Sequence, residues 1–117
     1  MKISVITATY NSASVIEDCL ASVVGQVYEN IEHVLIDGSS TDATLEVLQN
    51  HRHGLTKIVS EPDSGIYDAL NKGIAYSSGE IIGFLHSDVV FSSNNVLKNV
   101  ASIFEGDDTV SAVYGDL

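Results

Sequence analysis

His86 and Asp88 are the residues whose types and spacing most directly suggest chemistry. They follow Ile81 to Leu85, an apolar run too short for an ordinary helix and preceded by Gly79, which reads as a buried strand ending in polar groups. In an open parallel sheet, ligands sit outside the carboxyl ends of the strands. If extended geometry persists past Leu85, alternate side chains share one side, and an imidazole and a carboxylate could converge on one cation. The plainer alternative is a solvated strand end. Two more strand ends carry polar sets: Thr7, Thr9, Tyr10 and Asn11 after the first strand, and Asp37 after the second. Gathered on one rim, Asp37 could accept a hydrogen bond from the N–H of a base, Tyr10 could cover a base face, and Asp88 with a metal could neutralise phosphates. Each has a local alternative: Asp37 as a turn former beside Gly38, Tyr10 as half-buried packing, Thr9 as an ordinary strand end.

The elements that must position these groups alternate between strand and helix. Lys2 to Ala8 is rich in β-formers. Between Ala13 and Gly25, Val15, Ile16, Cys19, Leu20, Val23 and Val24 make one helical stripe, with Asn11 or Ser12 available as a cap. His33 to Ile36 predicts a second strand, the turn Asp37 to Ser40 follows, and Thr41 or Asp42 opens a second helix. Lys57 to Ser60 predicts a short strand near an edge, and Glu61 to Gly65 a loop. Ile66 to Tyr76 predicts a helix with Ile66, Ala69, Leu70 and Ile74 inward, and Gly73 within it suggests tight packing or a kink. After the strand Gly79 to Leu85, Asn94 or Asn95 caps a fourth helix, and Thr109 to Tyr114 predicts a last strand. The expected fold class is α/β, an open, mostly parallel sheet with helices on both faces, formed by residues 1–117 as one domain.

A formal net charge of −11 with only five Lys and Arg leaves no basic footprint for nucleic acid or anionic lipid. A phosphate ester held here would need a divalent cation or helix N-termini to supply positive charge. The first strand ends in TATYNS, which has no glycine, and no GxxxxGK[ST] occurs, so dinucleotide-binding Rossmann and P-loop readings fail. No GxSxG elbow supports a serine hydrolase. His51 and His53 resemble a metal pair, but beside Arg52 and Gly54 a solvated helix end explains them better. The single Cys19 falls at an apolar-periodic position and reads as core. Without a membrane-length apolar run or a cleavable signal pattern, the expected location is the cytoplasm, with the inner face of the membrane as the alternative.

The segments ISVITATYN, VLIDGSSTDAT, SEPDSGIYDALNKG and GEIIGFLHSD, in that order, resemble the nucleotide-sugar half of the family 2 glycosyltransferases, which have the GT-A fold. The resemblance implies that Thr7, Thr9 and Tyr10, with Asn11 beside them, border the nucleotide and that Asp37 holds the uracil or other base. It places Asp63, Asp68 and Lys72 along the ribose and diphosphate, and Ser87 and Asp88 in a metal-binding acidic motif, with His86 as a further candidate ligand. It further implies transfer of a sugar, with inversion, from a nucleoside-diphosphate donor, a UDP-sugar above all, to a sugar or lipid-linked acceptor, with Mn²⁺ or Mg²⁺. Two features depart from the family pattern: Val89 replaces a second acid after Asp88, and the sequence reaches Leu117 without an acceptor-binding half or an assignable general base. The expectation is therefore a donor-binding part truncated before the acceptor half, inactive alone and prone to form a homo-oligomer through exposed sheet edge. A non-catalytic nucleotide-sugar-binding or interaction module is the competing reading. A flavodoxin-like domain is a third, weakened by the lack of acids at the end of the first strand. On the base-holding assignment, Asp37→Asn should weaken nucleotide binding while sparing the fold.

Overall fold

The computed structural model describes residues 2–51 and 57–106. Two seven-residue strands, β1 (Ile3–Thr9) and β2 (Ile31–Asp37), are buried along almost their whole length, so neither shows the polar alternation of a one-sided sheet. Helix α1 (Ile16–Val24) connects them; α2 (Thr44–Asn50) leads to β3 (Lys57–Ser60), α3 (Ile66–Tyr76) to β4 (Ile81–Phe84), and α4 (Val96–Gly106) follows. Every strand pair is parallel and the order is β3-β2-β1-β4. The chain thus steps from β1 outward to β3, then returns to the other side of β1. That reversal places a crevice between the carboxyl ends of β1 and β4.

Alternation along β1 and β2 divides the core between two layers. Ile3, Val5 and Leu35 face α1, α2 and α4 in a cluster with Ile16, Cys19, Leu20, Leu48, Leu97 and Ala101. Ile6, Val34 and Ile36 face Ala69 of α3 on the other side. Helices therefore cover both faces of a parallel sheet, as the sequence predicts, and Cys19 is a free, buried core residue.

Several boundaries and faces differ from expectation. The strand expected over Gly79 to Leu85 pairs only from Ile81 to Phe84 and borders the sheet among the described strands, with Ile82 and Phe84 40% and 45% exposed. An apolar run can thus be a one-sided strand when, among the described residues, no helix covers one of its faces. In α3, Ile66 and Ile74 are partly exposed, while Ala69 and Gly73 are buried. The helix seats its small residues on the sheet because a side chain at Gly73 would collide with Ile6, which settles the glycine as a tight-packing position. Neither Asn11 nor Ser12 caps α1 through its side chain; the Ser12 carbonyl accepts from the amides of Val15 and Ile16. The start of α4 is held by Gln26, whose Oε1 accepts from the Leu97 amide at 3.0 Å. The predicted strand Thr109 to Tyr114, and His53 of the histidine pair, lie outside the described residues. No helix among the described residues is long and apolar enough to cross a membrane.

Candidate functional site at the strand ends

Parallel register places Thr9, Asp37 and Ser60 in one row across the ends of β1, β2 and β3. Asp37 is fully buried there and accepts four hydrogen bonds. Its Oδ1 takes the Thr9 hydroxyl at 2.7 Å and the Ser40 hydroxyl at 2.6 Å, and its Oδ2 takes the Ser40 amide at 2.9 Å and the Ser60 hydroxyl at 3.0 Å. A carboxylate offers about four lone-pair sites, so protein donors fill this one. Asp37, expected to hold a base, ties three strand ends together beneath the rim in this structure.

Even spacing along β1 turns Thr7 and Thr9, both expected at the nucleotide border, toward the α1 layer, where their side chains are buried. Thr7 is buried and shares a 2.9 Å hydrogen bond with His33 Nε2. Burial pushes the His33 imidazole down to about 4, so it is neutral at ordinary pH. Burial likewise pushes the neighbouring Cys19 thiol up to about 11, against a bond to Thr7 and with a further contribution from the Asp88 charge. This thiol is core, not a nucleophile.

Asn11 stands at φ 49°, a left-handed conformation that asparagine tolerates. Its Oδ1 accepts from the amides of Thr41 and Asp42 at 2.8 and 3.2 Å, and its amide donates to Ser40 Oγ at 2.9 Å. Asn11 therefore clamps the loop after β1 to the loop after β2. Tyr10 beside it is 63% exposed, an aromatic face held out over the rim.

Across the crevice, Leu85 donates to the Ile6 carbonyl and the chain then peels away from β1, which runs on to Thr9. A turn closes with the Val89 amide on the His86 carbonyl at 3.1 Å. Extended geometry therefore ends before His86, and the alternation that would have aimed His86 and Asp88 to one side does not apply. Both side chains are exposed, and Ser87 is half-buried with its hydroxyl 3.3 Å from that of Ser12, bridging the ends of β4 and β1. Among the described residues no three His, Cys, Asp or Glu side chains are grouped to hold a metal ion. Asp88 fits one hard oxygen ligand of a Mg²⁺- or Mn²⁺-type ion whose remaining ligands are water and phosphate.

The segment after β3 is self-tied. The Lys72 ammonium contacts Glu61 at 3.2 Å, Asp68 at 3.5 Å and the Pro62 carbonyl at 2.8 Å, and Asp68 accepts from the Ser64 amide at 2.9 Å. Asp63 lies half-buried against Gly38. Sequence reasoning missed Ser60 and His33 as partners, since each acts only through register with a neighbouring strand, and it missed Ser40, which closes back onto Asp37 within the turn after β2. A cleft of about 530 Å³ lined by Val23, Tyr28 and Ile31 lies at the start of β2, at the opposite end of that strand from Asp37.

Residues 4–115 match the family described as Glycosyl transferase family 2. The chain belongs to this family. It is 39% identical over 114 residues to an uncharacterized glycosyltransferase of Mycobacterium tuberculosis, a match covering 97% of this chain and 44% of that protein. Among solved structures it is similar to residues 1–349 of S. aureus TarS in complex with UDP-GlcNAc, with a TM-score of 0.84 and 30% identity over 91% of this chain and 32% of that fragment. It is also similar to the mannosyltransferase PcManGT from Pyrobaculum calidifontis in complex with GDP-Man and Mn²⁺, with a TM-score of 0.86 and 29% identity over 93% of this chain and 33% of that one. The chain thus spans less than half the length of the curated relative it matches.

Proposed function

We propose that this chain is the donor-binding part of an inverting glycosyltransferase that moves a sugar from a nucleoside-diphosphate donor to an acceptor hydroxyl. The observation that carries the reading is the crevice at the reversal of strand order, with exposed Tyr10 at the end of β1 and exposed Asp88 beyond the end of β4, in a family 2 fold. The bound UDP-GlcNAc of TarS and GDP-Man of PcManGT support a nucleotide-sugar donor. The reading extends to a sugar or lipid-linked acceptor and to self-association along β4, which is open on one side among the described strands.

Electrostatics makes a divalent cation part of the reading. Lys2 and Lys57 stand at the starts of their strands, and Lys72 is already engaged by two carboxylates and a carbonyl. A cation held by Asp88 would neutralise the diphosphate as it leaves. Tyr10 covers the base, and the Asp37 and Asn11 clamps hold the loops that shape the crevice. Proton removal from the acceptor is assigned to no described residue, and the single acid before Val89 favours the non-catalytic binding module as the second reading.

Calorimetric titration of UDP with and without Mn²⁺ tests the proposal. Mn²⁺ should bind the free chain weakly and UDP at least about tenfold tighter in its presence, because phosphate oxygens complete the coordination that Asp88 begins. Asp88→Asn should remove that coupling. Tight Mn²⁺ binding without nucleotide, or no uptake of any nucleoside diphosphate, would overturn it. Product formation from a UDP-sugar and an acceptor separates the enzyme from the module.

A further inference from the structure

The turn that carries Asp88 is joined to the end of β1 through one pair of hydroxyls. The Val89 amide on the His86 carbonyl closes a four-residue turn, and Ser87 and Asp88 occupy its two central positions. Among the described residues, the one hydrogen bond from this turn to the rest of the protein runs between Ser87 Oγ and Ser12 Oγ at 3.3 Å. Ser12 is only 6% exposed and is itself held at every polar group. Its amide donates to Thr44 Oγ1 at 2.8 Å, and its carbonyl accepts from the Val15 and Ile16 amides at 3.0 Å each. Its hydroxyl meets the amide and the carbonyl of Tyr10, each at 3.2 Å. One proton and two lone pairs are enough for these two groups and Ser87 together. A single buried oxygen thus touches the backbone of the exposed aromatic and the turn of the exposed carboxylate.

We propose that Ser12 is a positioning residue: through Ser87 it holds the Asp88 turn in place relative to Tyr10, so that a cation on Asp88 meets the diphosphate of a nucleotide seated on Tyr10. This inference rests on the nucleotide and cation site proposed above. Ser12 touches neither ligand and acts on both through its hydroxyl. A cation with one protein carboxylate takes its other ligands from phosphate and water, so carboxylate and phosphate must stand in place together. A turn closed by one internal bond and tied nowhere else would have to be ordered as the cation binds, which costs conformational entropy. The hydroxyl pair orders it beforehand, and its effect belongs to the cooperation between cation and nucleotide.

Calorimetric titration of the full chain with UDP, with and without Mn²⁺, tests this in wild type, Ser87→Ala, Ser12→Ala, the double variant and Ser87→Thr. The gain in UDP affinity that Mn²⁺ brings should fall about threefold to tenfold in Ser87→Ala, the scale of one hydrogen bond, with UDP affinity in the absence of Mn²⁺ close to wild type. Ser12→Ala should lose the same gain, and the double variant should lose no more of it, since either change alone removes the pair. Ser87→Thr keeps the hydroxyl and should restore most of the gain. General loss of structure would instead weaken UDP binding with and without Mn²⁺ alike. Ser87 lies half-buried on the turn, so Ser87→Ala and Ser87→Thr decide the matter even where Ser12→Ala fails to fold. An unchanged gain in Ser87→Ala, losses that add in the double variant, or no rescue by Ser87→Thr overturns the role of Ser12 and leaves the site standing. Absence of any Mn²⁺-dependent gain in wild type, or of UDP binding itself, overturns the site and this inference with it.

Discussion

Asp37 shows how one residue type can serve two different ends of a loop. A carboxylate closing a strand beside Gly-Ser-Ser could face a ligand or turn back onto the protein, and register with Thr9 and Ser60 decides for the second. Asp37→Asn replaces one oxygen with an NH₂ group facing donors, which leaves at least one buried donor unmatched and costs about 1–3 kcal/mol. Urea denaturation should show a lowered midpoint with an unchanged slope. This reverses the expectation that the substitution spares the fold; a midpoint equal to wild type would restore the ligand-facing assignment. Tyr10, by contrast, is tied to Ser12 only through its backbone, and among the described residues its side chain makes no hydrogen bond.

The elements are joined by side chains that leave one segment to complete another. Gln26, buried after α1, accepts from the Leu97 amide and donates to the carbonyls of Ser93 at 2.8 Å and Ser22 at 3.2 Å. It thereby satisfies an orphan donor in the first turn of α4 and fixes that helix to the end of α1. Gln26→Ala should cost about 1–2 kcal/mol, the scale of a lost helix cap. Hydrogen exchange should speed up at amides near Leu97 and stay slow in β1; uniform acceleration would mean a global effect. Glu32 plays the same part on the other face, accepting from Ser4 Oγ at 2.6 Å and from the Ser78 amide at 2.9 Å to dock the α3–β4 loop. Burial raises its carboxyl, but these bonds and the Lys2 charge outweigh it and hold it below the usual carboxylate range.

At the scale of the molecule, the two core layers make folding depend on acidity through the groups they bury. The folded His33 titrates near 4 against an ordinary 6.5, so between those values the unfolded chain binds the extra proton. Stability from this residue is therefore full above about pH 6.5 and falls as pH drops toward 4, by up to roughly 3 kcal/mol at about 1.4 kcal/mol per unit. Glu32 adds to the acid side, since its folded carboxyl ionises below its unfolded value and its contribution is lost only as pH falls through the folded value. Melting curves from pH 7 to 4 should show a steep loss of Tm that His33→Gln flattens. An equal slope in both proteins would mean that His33 is not the sensor.

The sequence by itself determined the alternation of strands and helices, the α/β class and the family, because apolar period and turn residues are local and the matching segments are contiguous. It also determined the need for an external positive charge at a phosphate site, since −11 with five Lys and Arg is a property of composition. It identified the strand ends as the place to look, because a parallel sheet gathers them. Tertiary structure alone decided which polar residues face outward there. Thr7, Thr9 and Asp37 face inward because the strands beside them supply His33 Nε2 for Thr7 and the hydroxyls that fill the Asp37 carboxylate. Asp63 meets Gly38 because β3 lies beside β2, and the spacing of the two residues in sequence carries no trace of that contact.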